Sequence, residues 1–103
     1  YYETIAIKKV FGKHAYDLLI SAPKSMIGHS IGGASAISFA VTALALKTQK
    51  IPPTINYEFP DPDCDLNYVP NAMIHANGIE TAISNSFGFG GHNCVIVLKR
   101  SLA

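Results

Sequence analysis

The amino-acid sequence predicts an α/β fold, and three features of the chain indicate it. The apolar run YDLLISA at residues 16–22 is compact and is closed by Pro23, which is typical of a buried strand. Residues 31–48 place apolar side chains around the whole circumference of a predicted helix. Residues 80–85 and 94–99 are strand-like segments joined by a glycine-rich turn, which predicts a hairpin. The order is therefore strand, loop, helix and hairpin within one domain.

Local signals predict the remaining elements. Thr4 to Phe11 is expected to form a short helix that ends at Gly12, because glycine is common at the residue that stops a helix. A loop of seven residues follows the first strand, and Ser30 is well placed to cap the next helix with its side chain. Residues 51–71 hold five of the six prolines, which predicts an ordered but irregular connection.

Length and composition restrict the class of protein. A chain of 103 residues amounts to one small domain. Charged residues make up 15% of it and the formal net charge is +1, so the sequence offers neither a basic field for nucleic acid nor a charged tail. Hydrophobic residues reach 49%, which indicates that further sequence or a partner covers much of the surface.

Cysteines and apolar segments indicate the compartment. Cys64 and Cys94 lack CxxC spacing and form no zinc-like array with the four histidines, so we expect two reduced thiols and neither a metal site nor a cofactor. No charged segment followed by an apolar stretch opens the chain, so no signal peptide is predicted and a cytoplasmic location is favoured. The apolar run at residues 31–46 is shorter than the ~20 residues of a membrane span, and we interpret it as a buried helix.

The segment KSMIGHSIGGA, residues 24–34, is consistent with an acyl hydrolase. Residues 28–32 match the G-x-S-x-G pattern of a nucleophile elbow, which makes Ser30 a candidate nucleophile. The acidic residues and histidines that follow stand in the order that such enzymes use: Asp61, Asp63, Asp65, His75 and His92. The pattern is short and no oxyanion-hole loop precedes it, so a capping role for Ser30 is favoured.

Lys24 and His29 form a second candidate site on the same segment. Both are predicted to lie on one loop between a buried strand and the N-terminus of a buried helix. The positive end of the helix dipole disfavours imidazolium, and a neutral histidine is able to donate a hydrogen bond to a developing oxyanion. A nearby lysine acts in the same direction. The residues alone leave both a functional and a structural role for His29 open.

The segment NSFGFGGHN, residues 85–93, places Gly88, Gly90 and Gly91 around Phe89. Glycines permit backbone conformations that are closed to other residues. The segment does not match the dinucleotide fingerprint, which requires glycine where Asn93 stands. Two interpretations stay open: a plain hairpin turn, and a mobile gate with exposed N–H groups beside an active site.

A family resemblance follows from these motifs. KSMIGHSIGGA and ISNSFGFGGHN, with IPPTIN and DPDCDLNYVP between them, resemble the C-terminal segment of the β-ketoacyl-acyl carrier protein synthases. These are the elongating condensing enzymes of fatty acid synthesis, and the chain is most similar to the bacterial synthase II type. The resemblance covers nearly all of residues 1–103 and includes ETIAIKKVFG at the start. It implies the C-terminal part of a thiolase-like α/β/α/β/α layered fold, incomplete on its own.

The resemblance also implies roles for individual residues. In the family a cysteine nucleophile takes the acyl chain from the carrier protein, and two histidines promote decarboxylation of the malonyl thioester and stabilise its enolate. His29 matches the second histidine, and Lys24 matches the lysine that organises it. Phe89 matches the gating phenylalanine, whose backbone N–H helps to form the oxyanion hole, with Gly88 and Gly90 on either side.

Two departures limit what the chain is expected to do. The family's nucleophilic cysteine and first histidine belong to segments before Tyr1, and neither Cys64 nor Cys94 has a matching context. Ser38 stands where many members carry a glutamate of a monovalent-cation site, so no metal site is expected. The resemblance therefore implies a decarboxylating Claisen condensation by a complete homodimeric enzyme that binds acyl carrier protein, and an inactive chain in isolation. The alternative is a non-catalytic condensing-enzyme-like partner subunit or module.

Overall fold

The computed structural model describes residues 1–101, so the last two residues of the predicted 1–103 domain lie outside the described residues. The helices are α1 (Tyr2–Phe11), α2 (Lys24–Ile27) and α3 (Ala34–Thr48). The strands are β1 (Lys50–Ile51), β2 (Ile74–His75), β3 (Thr81–Phe87) and β4 (Asn93–Lys99). Two 3₁₀ segments, Gly12–Asp17 and Ile31–Gly33, complete the regular structure. The mixture of helices and sheets confirms the predicted α/β class.

Helix α1 agrees with its prediction and begins two residues earlier, at Tyr2. It ends where Gly12 takes a φ of +57°, and the Gly12 N–H donates a hydrogen bond to the Lys8 carbonyl. Thr4 is the buried residue of the helix because its Oγ1 shares a hydrogen bond of 2.7 Å with the Tyr68 hydroxyl. This contact joins α1 to the irregular part of the chain.

Lys8 and Asp65 form a salt bridge that also holds α1, and the Tyr16 hydroxyl donates to Asp65 Oδ2 at 3.2 Å. The hydrogen bond with Asp65 raises the pKa of Lys8, and the same hydrogen bond lowers the pKa of Asp65. The stabilisation is lost as the pH falls through the lowered carboxyl pKa, and again as it rises through the raised ammonium pKa. Because both side chains are partly exposed, solvent screens the pair and its contribution is small.

The strand predicted at residues 16–22 is wrong. The 3₁₀ segment extends to Asp17, and Leu19 forms only an isolated parallel bridge with Asn67. The Ile20 N–H donates to the Asn67 carbonyl at 2.9 Å. The backbone is extended at Leu18, but within residues 1–101 no strand lies beside it to complete a ladder.

Residues 31–48 are helical as predicted, with a first turn of 3₁₀ geometry. By length and composition this 18-residue segment, with a mean hydropathy of 1.4, meets the criterion for crossing a membrane, as core helices of soluble proteins also do. Only 11% of it is buried, and the buried residues of α3 are Ala34 and Leu46. Residues 1–101 therefore cover this helix on only part of its circumference, as expected if further sequence or a partner supplies the rest of its cover.

Gln49 joins the end of α3 to the strands. It has a left-handed φ of +58°, its N–H donates to the Ala45 carbonyl, and its carbonyl accepts from the Ala76 N–H at 2.8 Å. The side-chain amide donates to the carbonyl oxygens of Leu46 and Ile79, and its Oε1 accepts the Ile79 N–H at 2.8 Å. A single buried side chain thus fixes where the chain leaves the helix and where it enters the hairpin.

Strands β3 and β4 form the predicted antiparallel hairpin. The register runs from Thr81 opposite Lys99 to Phe87 opposite Asn93. Helix α3 packs against both strands and against β1, which pairs with β2 in a second, two-stranded sheet. Between β1 and β2 the chain is irregular, as its prolines predict.

We expect Gln49→Ala to lower the free energy of unfolding by about 1–3 kcal/mol, because it leaves the Ile79 N–H and two carbonyl oxygens without their partner. Chemical denaturation at matched protein concentration measures the change. The neighbouring exposed substitution Lys47→Ala is the control and should stay within about 0.5 kcal/mol. Equal effects of the two substitutions would contradict the role given to Gln49.

We expect the 103-residue chain in isolation to associate or to fold incompletely. The reason is the large number of exposed apolar side chains, which include Val10, Ile31, Leu44, Phe59, Val95 and Val97. Sedimentation measures the mass of the species in solution, and amide exchange reports the protection of α3. A compact monomer with strongly protected amides in α3 would show this expectation to be wrong.

Candidate functional site

A cavity of about 650 Å³ lies between the segment that leads into α3 and the loop of the β3–β4 hairpin, residues 88–92. Lys24 and His29 line it from the first segment, and Gly88 and Phe89 line it from the hairpin loop. The other lining residues are Ile31, Ala34, Ser35, Ser86, Phe87, His92, Asn93 and Cys94. Two motifs that are far apart in the sequence therefore face one space.

Helix α2, rather than a plain loop, positions Lys24. The helix is one turn long and ends where the Gly28 N–H donates to the Lys24 carbonyl at 2.8 Å. Ser25 fastens it to the irregular connection, because its Oγ donates to the Ala22 carbonyl and accepts the Ile55 N–H at 2.9 Å. The exposed Lys24 ammonium has no ion-pair or hydrogen-bond partner within residues 1–101, so it is available to a ligand.

The His29 imidazole is oriented by the backbone. Its Nδ1 accepts the N–H of Ile31 at 2.9 Å. A neutral imidazole has one donor and one acceptor nitrogen, so this contact places the proton on Nε2. Ile31 has a φ of +49°, which is unusual for a β-branched residue. The left-handed backbone of Ile31 thus directs a donor at Nδ1 and leaves Nε2 of His29, a residue that lines the cavity, for another partner.

Ser30 does not cap a helix with its side chain, so that prediction is wrong. It precedes the 3₁₀ segment, where its carbonyl accepts the Gly33 N–H at 3.0 Å, but its hydroxyl makes no capping hydrogen bond. The residue at the start of α3 is Gly33. His29 Nδ1 accepts the N–H of Ile31, the first residue of the 3₁₀ segment, whereas a capping hydroxyl would accept the N–H of Gly32 or Gly33.

The residues of the hydrolase interpretation are not gathered at the cavity. Of them, His92 alone is among the described lining residues, while Ser30 and His75 are not. The Asp61 carboxylate accepts the Asp63 N–H at 2.9 Å, and Asp65 is paired with Lys8. A Ser-His-Asp arrangement is therefore not assembled within residues 1–101.

The hairpin loop has its backbone freedom at Gly90 and Gly91, whose φ values are +83° and +82°. Gly88 does not have a positive φ, and a Cβ there would meet His92 atoms at an ordinary contact distance of 3.5 Å. Gly90 is not among the lining residues, although Gly88 and Phe89 are. The Phe89 ring is fully exposed, so nothing within residues 1–101 packs against it.

The side chains of the cavity wall are basic or uncharged. Lys24 contributes a cation, His29 and His92 contribute imidazoles, and no lining residue within the described chain is acidic. Such a wall favours a ligand that is anionic or that develops negative charge during a reaction. No three described side chains of His, Cys, Asp or Glu lie together in a way that would hold a metal ion.

Sequence reasoning missed several of these features. Ser86 and Cys94 lie opposite each other in the hairpin register, and both line the cavity. The predicted hairpin could have paired them. The contact between Ile31 and His29 has no sequence signal, because a β-branched residue argues against a left-handed backbone.

Comparisons with known proteins identify the family of the chain. The family described as Beta-ketoacyl synthase, C-terminal domain, matches residues 1–58. The 3-oxoacyl-[acyl-carrier-protein] synthase 2 of Synechocystis sp. is 50% identical over 98 residues, and the counterpart from Coxiella burnetii is 51% identical over 98 residues. The tetracenomycin polyketide synthase ketoacyl synthase alpha subunit of Streptomyces glaucescens is 48% identical over 99 residues. The matched regions cover 95% or 96% of this chain but 23% of each relative.

Solved ketosynthase structures share the fold. The AntDE:AntF complex, a type II polyketide synthase acyl-carrier protein with its ketosynthase bound to the hexaketide, matches with a TM-score of 0.92 and 43% identity. The ishigamide ketosynthase/chain length factor matches with a TM-score of 0.88 and 40% identity. Each match covers 96% of this chain and 24% of the solved chain. The predicted thiolase-like fold is thereby confirmed, with this chain spanning about a quarter of it. On the family match and the shared fold together, the chain belongs to the β-ketoacyl synthases and forms part of their C-terminal domain.

Proposed function

We propose that the protein containing this chain is a 3-oxoacyl-[acyl-carrier-protein] synthase that extends fatty acids by decarboxylating Claisen condensation. The observation that carries the proposal is the hydrogen bond from the Ile31 N–H to His29 Nδ1, which leaves Nε2–H as a donor at a cavity free of acidic side chains. Condensing enzymes of the same family, including the synthase 2 proteins, support it. The chain spans 23% of those relatives, so the activity belongs to the whole protein.

The proposed reaction places negative charge next to His29. The bond between the malonyl carboxylate and the α-carbon breaks, carbon dioxide leaves, and the electron pair passes into an enolate whose oxygen is the former thioester carbonyl. Nε2–H of His29 donates a hydrogen bond to that oxygen. The enolate carbon then attacks an acyl thioester on the enzyme cysteine, and the cysteine thiolate is the leaving group. The electrons released by decarboxylation drive the new carbon–carbon bond, so the step needs no cofactor.

Lys24 supports the same step by electrostatics. Its unpaired ammonium faces the cavity together with His29. This positive charge attracts the malonyl carboxylate and stabilises the enolate.

The hairpin loop is proposed as the gate between acyl and malonyl substrates. Phe89 carries the gating ring, and its backbone N–H is proposed to serve the oxyanion hole beside the cysteine, with Gly88 and Gly90 on either side. The exposed ring and the positive φ of Gly90 support a loop that moves. Lids of this kind exclude water and commit the substrate.

Acyl carrier protein is the proposed partner. A structural neighbour is described as a ketosynthase in complex with a type II acyl-carrier protein, which supports this assignment. We further propose a cytoplasmic homodimer.

A second candidate is polyketide chain extension, favoured by the 48% identity to the tetracenomycin ketoacyl synthase alpha subunit. The chemistry would be the same and the acyl chain would differ. A non-catalytic partner subunit is a further alternative, and the presence of the cysteine nucleophile and the first histidine elsewhere in the protein would exclude it.

We expect His29→Ala to lower malonyl decarboxylation and condensation in the complete enzyme by about 10²–10³-fold, because an oxyanion donor is lost. Transfer of the acyl chain to the cysteine should persist. Separate assays of carbon dioxide release and of acyl-enzyme formation measure the two steps. His75→Ala, an exposed histidine on β2 away from the cavity, is the matched control. A mild His29→Ala combined with a lethal Ser30→Ala would restore the hydrolase interpretation.

We expect Phe89→Ala to slow condensation while it leaves the fold and acyl-enzyme formation intact, since only the exchange of acyl for malonyl substrate depends on the ring. Phe59→Ala is the control, because Phe59 is similarly exposed at 88%. Gly90→Ala tests the backbone, because alanine resists a φ of +83°. Condensation at the unmodified rate in both Phe89→Ala and Gly90→Ala would reduce the loop to a plain turn.

A further inference from the structure

His92 lies at the end of the hairpin loop, directly before β4, and lines the same cavity as His29 and Phe89. The mechanism proposed above gives it no role. The loop nevertheless contacts both the backbone and the side chain of His92.

The backbone contact closes the loop at its base. The Gly88 N–H donates a hydrogen bond of 2.7 Å to the His92 carbonyl. Residues 89–91 therefore extend beyond a hydrogen-bonded base. The positive φ values of Gly90 and Gly91 shape the turn that these residues form.

The side-chain contact supports the turn from one side. A Cβ on Gly90 would lie 3.8 Å from Cδ2 and 3.9 Å from Nε2 of His92, and a Cβ on Gly88 would lie 3.5 Å from its Cβ. Chain neighbours apart, no other described residue comes within 4 Å of these two positions. His92 thus borders the loop on the side where a side chain at Gly88 or Gly90 would stand, with its Cβ and carbonyl oxygen beside Gly88 and its imidazole beside Gly90.

Without this ring the loop would have no side-chain support. Phe89 is fully exposed and makes no ring contact within the described chain, so its own side chain does not hold the loop. Gly91 likewise has nothing within 4 Å of its Cβ position. The conformation of residues 88–91 therefore depends on what packs beneath Gly88 and Gly90.

We propose that His92 is a positioning residue for the hairpin loop: its imidazole lies beside Gly90 and its Cβ lies beside Gly88, and the side chain thereby sets where the Phe89 ring stands at the cavity. The inference rests on the proposed function in that the ring is taken as the gate. The support is steric, so a planar ring of similar size should replace the imidazole, whereas a small side chain should not.

The test uses the full-length protein with 4-fluorophenylalanine at position 89 and compares His92→Ala, His92→Thr and His92→Phe, with His75→Ala as the matched control. We expect His92→Ala to shift or broaden the fluorine resonance and to raise the KM for malonyl thioester on the order of tenfold, since small displacements of a positioned group cost rate steeply. His92→Phe should restore both readouts, and His92→Thr, which keeps the Cβ beneath Gly88 but no ring, should lie between.

Two outcomes would overturn the inference. One is a His92→Ala protein with the fluorine spectrum and KM of the unmodified protein. The other is a folded His92→Phe protein as impaired as His92→Ala, because the imidazole would then act by charge or hydrogen bonding and not by shape. The fluorine spectrum can be recorded without turnover, so it tests the positioning role separately from the proposed function. If the unmodified protein did not condense malonyl thioester, but substitution of His92 still changed the fluorine resonance, the proposed function would be wrong and the positioning role would stand.

Discussion

The packing of α3 against β3 and β4 is the contact on which the candidate site depends. The N-terminal end of this helix follows the segment that carries His29, and the hairpin on which it rests carries Phe89 at its tip. Gln49 fixes the opposite end of α3 to Ile79, just before β3 begins. The helix therefore acts as the rigid connection that holds two sequence motifs at one cavity, which explains why a helix so apolar is placed between them.

The sequence predicted those elements whose causes are local. Gly12 ends α1, the apolar periodicity defines α3, and alternating Val and Ile residues define β4, so each was found within a few residues of its observed bounds. The strand predicted at residues 16–22 is wrong because a strand forms only beside a neighbouring strand. A run of apolar side chains does not show whether such a neighbour is present. The low burial of α3 within these residues is what an all-round apolar helix predicts when further sequence or a partner supplies its cover.

The site was predictable to the extent that its residues carry a motif. Lys24, His29 and Phe89 were identified because their segments resemble a known family, and the structure brings the segments to one cavity. The roles of these residues stay proposals. His92 was found only as a candidate base, because its contacts run to glycines, which leave no signature in a side-chain pattern. The hydrogen bond from the Ile31 N–H to His29 was not predictable, because it accompanies a left-handed backbone at a β-branched residue.

The left-handed backbone of Ile31 has a consequence for engineering the protein. Asparagine and glycine adopt that conformation more easily than a β-branched residue does, so selection for thermal stability alone would replace Ile31 with one of them. Such a variant would keep the N–H at position 31 and hold the same left-handed turn at lower cost, so the hydrogen bond to His29 Nδ1 should survive. Stability could then rise with the orientation of the imidazole unchanged, which makes position 31 a place where a library screened by melting temperature would not disturb His29.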